Sequence, residues 1–418
     1  MTKLHFILSK LGAQLWVRPA LYSIAAICWV ILGSLAEYFL PDSWQFNITH
    51  ETLVQLFTIL ASTMLTVATF SVSAIATAYA SVATSATPRA TKIVMSDSGV
   101  QSTLAAFLAT FIYAVVSLTS LSAITFQASG RMVLFIGFVV LVSWVLLSFL
   151  RWVDQVTRLG RLGDTLERVA AEARKVFSNP TGIVLGGRSH AESERPTEGL
   201  VLKFSSFGYV QHINMEVLQE VAARLGGQIW LDIRPGKLAE KGQTFGVLKY
   251  EQEPTEKDLL ELQHAVAIGA DRSFTTDSRF VLILLAEIAD RALSPALNDP
   301  GTAIRVLAVE VELFHVWVEA ERRHAENYTP TYDRIFVPRI TAEDLVHDAF
   351  SPIVRDGAAS VEVGIRLQKA LRSLMRLDHH DLQTAAKNYR EVALELSDQA
   401  LVSASQREAV RAVAHAPL

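Results

Sequence analysis

The chain has 418 residues, of which 50% are hydrophobic and 19% charged, and its net charge is −4. So many charges beside a mean hydropathy of +0.29 require apolar and charged segments to be segregated, which points to a membrane domain joined to a soluble one. A single cysteine, Cys28, excludes an intramolecular disulfide and a cysteine-based metal cluster.

Up to residue 150 the charges are Lys3, Lys10, Arg18, Glu37, Asp42, Glu51, Arg89, Lys92, Asp97 and Arg131, a net +2 that leaves −6 for the remainder. Nucleic acid is therefore not an expected partner. Four apolar segments are long enough to span a bilayer: 21–40, 53–83, 100–126 and 132–150. Each must be helical there, because hydrocarbon offers backbone groups no water to bond. Basic residues precede the first span, lie between the second and third, and follow the fourth from Arg151 onward. By the positive-inside rule both termini and everything after Arg151 are cytoplasmic, in a multi-pass protein. Glu37, near the outer end of the first span, is the one acid at membrane depth.

The second span is unusual. No charge occurs from Thr52 to Pro88, about 55 Å if wholly helical against roughly 30 Å of hydrocarbon. Ser62, Thr66, Thr69, Ser73, Thr77, Ser81 and Thr84 follow one another at steps of three or four, which puts them on one helix face. Two readings follow. Several copies could surround an axis, with Ser62 through Ser81 lining a hydrated pathway whose cytoplasmic mouth carries Pro88, Arg89 and Lys92. Alternatively the stripe, with Ala61, Ala68, Ala76, Ala80 and Ala83, lets helices pack closely and share hydrogen bonds.

Residues 151–198 read as a juxtamembrane amphipathic helix, continuous with the fourth span to about Phe177, followed by a linker at 178–196. Residues 199–255 read as a small α+β module. Strands at 201–204 and 209–213 form a hairpin, a helix at 215–225 stops at Gly226 and Gly227, and strands follow at 228–233 and 244–250. From 256 to 418 the chain reads as helical. Asp277 caps one helix, and Asp299 with Pro300 opens another whose apolar face holds Ile304, Leu307, Val311, Phe314 and Val318; further helices lie at 342–350, 358–375 and 380–402. The expected fold is thus an α-helical membrane domain of four transmembrane helices, residues 1–150, plus a cytoplasmic α+β domain made of a β-rich module and a helical region.

Phe70-Ser71, Pro88-Arg89, Asp97, Gln101, Phe107 and the run Glu287 to Pro300 with Thr302-Ala303 together resemble the DUF2254 family of predicted bacterial membrane proteins, over nearly the whole chain. The Ala-Leu-Ser-Pro…Asn-Asp-Pro segment is the specific part. The family pattern often has glycine and isoleucine where this chain has Ala296 and Leu297, so position 296 needs no left-handed backbone, and a bulkier residue where this chain has Thr87. The resemblance implies a bacterial cytoplasmic membrane and four spans, and no mechanism.

Asp290, Arg291, Ser294, Asn298 and Asp299 are the candidate ligand or interface residues of the soluble part; the plain alternative is a capped helix corner. His379-His380-Asp381 has a metal-like composition, but adjacent histidines on a helix point about 100° apart. No nucleophile elbow, HExxH or Walker sequence occurs, so neither an enzyme nor a cofactor is expected. The expectation is a homo-oligomeric inner-membrane, channel-like protein with a regulatory cytoplasmic domain and an anion preference. The second expectation is a membrane-anchored regulatory or scaffolding protein. The expected partners are the lipid bilayer, further copies of the chain, and a small ion or ligand.

Overall fold

The computed structural model describes residues 17–35, 48–95, 98–158, 161–179 and 183–417. The described residues divide into two compact units: those up to Thr84 with Pro88–Thr165, and Ser85–Thr87 with Leu166 onward.

The N-terminal unit holds α1 (Val17–Leu35), α2 (His50–Ser85), α3 (Ala90–Met95), α4 (Ser98–Ala123) and α5 (Ala128–Arg158). Three of these, α2, α4 and α5, are long and apolar enough to cross a membrane. The first of the four expected spans is described only as far as Leu35, where its apolar stretch is shorter. Glu37 lies outside the described residues. α4 packs on α1 and α5, which also meet each other. α2 joins this core through large side chains: Phe57 stands edge-on to Tyr113 and Phe138, at ring separations of 5.5 and 5.9 Å. Arg131, beyond the end of α4, donates to Ile48 O and Phe126 O, both at 2.9 Å, and so ties two loops with one guanidinium. Gly137 on α5 makes room for two donors, the buried Tyr113 and the exposed Trp29. Tyr113 bonds Leu134 O at 2.6 Å, Trp29 bonds Val133 O at 3.2 Å, and a Cβ at 137 would lie 2.4 and 2.6 Å from their polar atoms.

The expected continuous helix through 177 is interrupted. α5 is described to Arg158, Arg161 is not helical, and α6 (Leu162–Phe177) begins after it. Its apolar face is buried in protein at Leu166, Val169, Ala170, Ala173 and Phe177, and Arg174 grips Glu312 with two bonds of 2.6 and 3.0 Å.

The C-terminal unit continues with β1 (Arg188–His190), β2 (Leu200–Lys203), β3 (Gly208–Ile213), α7 (Met215–Arg224), β4 (Gln228–Leu231), β5 (Leu238–Ala239), β6 (Thr244–Lys249), α8 (Glu256–His264) and β7 (Val266–Gly269). Then follow α9 (Ser278–Leu293), α10 (Pro300–Asn327), β8 (Ile335–Pro338), α11 (Ala342–Asp356), α12 (Val361–Leu374), α13 (His380–Ala400) and α14 (Ala404–His415). Two sheets form, ordered β1-β8-β4-β6-β2 and β5-β3-β7. The expected hairpin does not exist: β2 pairs with β6 in one sheet and β3 with β5 and β7 in the other. The β-rich composition of 201–213 is right, but Phe204 bonds Gln243 O and turns the chain from one sheet toward the other. The segment expected as a linker supplies β1, and the segment expected to be helical supplies β7 and β8. β8 runs parallel to β1 and β4 and lies between them.

Local capping explains the helix starts. Asn214, Thr255, Asp277, Asp299, Thr341 and Ser360 each accept a backbone N–H from the first turn of the helix they precede. The buried face of α10 differs from the expected one. It comprises Ala303, Leu307, Glu310, Phe314, Trp317 and Glu321, while Ile304, Val311 and Val318 are only half buried. α10 packs against α9 and α12, and more lightly against α11.

A buried ionic cluster lies beside the sheet. Arg234 donates to Ile183 O at 2.7 Å and Pro338 O at 2.9 Å, and burial pushes its guanidinium down to about 10 against the opposing pull of Asp277 and Glu321. Asp277 is held at 2.6 Å by Arg272. Gly236, at φ +95°, is required here, because a Cβ would sit 2.1 Å from the Asp277 carboxylate.

Gly137→Ala is expected to cost about 1–3 kcal/mol by overpacking. Gly33→Ala, whose Cβ would meet Leu134 at 3.3 Å, should cost less. Thermal unfolding of both variants in detergent gives the comparison.

Candidate functional site

α2 divides its side chains sharply. Leu53, Phe57, Leu60, Met64, Ala68, Ser71, Ile75 and Val82 are buried. Ser62, Thr66, Thr69, Ser73, Thr77, Ser81 and Thr84 are all exposed, about half a turn round the helix at 100° per residue. Of the alanines that could support close packing, Ala68 is buried with the large side chains, whereas Ala76 and Ala80 lie exposed with the hydroxyls. The predicted stripe therefore exists as one continuous face, turned away from the buried core of its own unit.

Five of the seven hydroxyls are satisfied along the helix itself. Ser62 donates to Ile59 O at 3.0 Å, Thr66 to Ser62 O at 3.0 Å, Thr69 to Leu65 O at 2.9 Å, Thr77 to Ser73 O at 3.0 Å and Thr84 to Ala80 O at 3.0 Å. Such back-bonding removes the cost of an unpaired hydroxyl and leaves oxygen lone pairs available to water or a cation. Beyond the helix, Pro88 and Arg89 are exposed. The side chain of Lys92, on α3, lies outside the described residues. Thr87 is buried and donates to Glu287 Oε2 at 3.0 Å within the C-terminal unit. This bond joins residues 200 positions apart in the chain.

The second candidate group forms the corner between α9 and α10. Ser294 closes α9, its hydroxyl donating to Arg291 O at 2.6 Å, and Arg291 is exposed. Asn298 adopts φ +47°, so the left-handed residue is 298 and not 296, in line with the alanine at 296. Asp299 then accepts from Thr302 N at 3.1 Å and from the Thr302 hydroxyl at 2.6 Å. These bonds account for the corner as a structural joint. Asp290 faces a different partner set: Arg355 lies 3.4 Å away and itself grips Asp356 at 2.5 Å. Burial, then the neighbouring Asp356, pushes Asp290 up to about 6. The five residues therefore divide between the corner and the Arg355 pair, and no single pocket gathers them. His379 caps α13 through Nδ1, at 3.2 Å from Leu382 N, and its ring lies 4.8 Å from that of Trp317. Among the described residues no group of three or more His, Cys, Asp or Glu side chains is placed to hold a metal.

Sequence reasoning missed Glu310, which is wholly buried on α10 with neither carboxylate oxygen hydrogen-bonded. The spacing 303, 307, 310, 314, 317, 321 could have revealed it, since that register places two glutamates on the apolar face.

The family of predicted membrane proteins designated DUF2254 matches residues 12–373, and the chain belongs to it. Uncharacterized proteins of Mycobacterium bovis and of two strains of Mycobacterium tuberculosis are each 34% identical to it over 152 residues, 35% of this chain. The match covers 27% of the length of each of those relatives. No solved structure matches the chain.

Asp299→Ala is expected to lower stability by about 0.5–2 kcal/mol through loss of the helix cap. Asn298→Gly, which relieves the positive φ, should be neutral or mildly stabilising. Chemical denaturation measures both.

Proposed function

We propose that this member of the DUF2254 family is a homo-oligomeric, channel-like protein of the bacterial inner membrane, in which α2 of each copy contributes its hydroxyl face to a shared hydrated pathway. The observation that carries this reading is the orientation of the stripe: on a charge-free face, serines and threonines recur over more than six turns beside the exposed Ile59, Leu65, Phe70 and Val72, opposite the side that α2 uses for its own core. The hydroxyls of this face gain nothing from lipid, whereas neighbouring copies around an axis would turn them toward water. Two charge-poor apolar helices, α4 and α5, cannot themselves supply a polar route, so an assembly is part of the proposal.

In this reading the N-terminal unit spans the membrane four times, with both termini and the C-terminal unit cytoplasmic. Arg89 and Lys92 raise the local anion concentration at the inner mouth and give a preference for anions, while the outward lone pairs of the stripe solvate water and whatever passes only weakly. The C-terminal unit is regulatory, without catalysis.

The intrahelical bonds favour a second reading. Hydroxyls already satisfied by their own backbone can sit in dry contacts between helices, as in a membrane-anchored regulatory or scaffolding protein.

Purified protein in planar bilayers should conduct, and Arg89→Glu should move the reversal potential toward cations. Silent bilayers, or an unaltered reversal potential, would sink the anion-channel proposal. With the exposed Cys28 replaced, single cysteines at Thr69 and Ser73 should react with a water-soluble thiol reagent in membranes. Protection at both positions would favour the dry scaffold.

A further inference from the structure

Glu310 is a carboxyl group in a place that a charge cannot occupy. It lies midway along α10 with no solvent exposure, and neither of its oxygens has a hydrogen-bond partner. Among the described residues no cation pairs with it. The nearest charged influence is Asp348 of α11, which is itself negative and pairs at 2.5 Å with Arg279 of α9; Arg279 also reaches Asp344 at 3.0 Å. α12, which packs on α10, contributes the wholly buried but neutral Gln368, whose side-chain carbonyl also lacks a donor. On α10 itself the neighbours one turn away are Val306, Leu307, Leu313 and Phe314, all buried. An unpaired carboxylate in such surroundings is strongly disfavoured, and the group stays neutral by keeping its proton.

We propose that Glu310 is a proton-held switch: its neutral acid keeps α10 packed against its neighbouring helices, and loss of the proton opens that layer to water. The proposal stands whether or not α2 lines a pathway. Burial first, then Asp348, holds the Glu310 carboxyl well above the usual carboxylate range. The sign of the linkage follows. In the unfolded chain the group ionises near pH 4.3, so the stability it permits is fully present below that value and declines as pH rises toward its folded value. The decline amounts to about tenfold in the folding equilibrium constant per pH unit. Asp290 also titrates in this window and contributes equally to native and variant, so it cancels in the comparison.

The test compares the full chain with Glu310→Gln in detergent, following unfolding from about pH 5 upward and hydrogen exchange in α10 and α11, corrected for the intrinsic rate. The native chain is expected to lose stability relative to the glutamine variant as pH rises, with faster exchange in those two helices. Parallel stability profiles and equal exchange overturn the proposal. Should Glu310→Gln fail to fold, Asp348→Asn serves instead, because Arg279 keeps Asp344. Removing the negative neighbour should move the end of the decline to lower pH, and an unmoved profile overturns the switch.

Discussion

Along α2 most serine and threonine hydroxyls find a partner in the helix's own backbone. The hydroxyls of Thr66, Thr69, Thr77 and Thr84 bond the carbonyl four residues earlier, so the helix can run without a charge from Thr52 to its end at Ser85 while presenting oxygen on one side. The opposite side is committed to bulky contacts, with Phe57 wedged among aromatic rings of α4 and α5. A helix built this way has one face already used and another that only an external environment can occupy.

The C-terminal unit handles polarity differently. It pairs its more buried carboxylates with arginines, Asp277 with Arg272, Asp348 with Arg279 and Glu321 with Arg339, and surrounds Arg234 with carbonyl oxygens from two distant segments. Each pair joins residues from different elements or caps a helix, so the ionic contacts fix how helices approach the sheets. Glu310 stands outside this pattern, which is why it is the group whose protonation matters most there.

Features governed by neighbours in sequence were legible in advance. The hydroxyl period of α2, the Asp277 and Asp299 caps and the stop at Gly226 all depend on residues within a turn or two, and each is found where the sequence placed it. Strand composition was legible, but strand partnership was not: 201–213 looked like a hairpin because β-branched content says nothing about which distant strand completes the ladder. β1 and β8 have three and four residues, too few to show alternation. The register of α10 was misplaced by following Ile304, Val311 and Val318, since hydrophobicity alone does not rank which of two adjacent stripes is buried deeper. For the candidate site, the sequence identified the stripe and its charge-free span; only packing could reveal that the face points away from its own core. The corner at Ser294 to Asp299 was equally visible, and its bonds turned out to be those of a joint.

The position of β8 has a consequence for how the polypeptide acquires its shape. Because Ile335–Pro338 is inserted between β1 and β4, Ile229 must wait for Ile335 and Arg188 for Phe336 before either strand gains its parallel neighbour. A ribosome releasing the polypeptide from its N-terminus exposes the helices α9 and α10 before the sheet can close. Any truncation upstream of β8 would leave the edges of β1 and β4 that it covers open, a ready template for self-association.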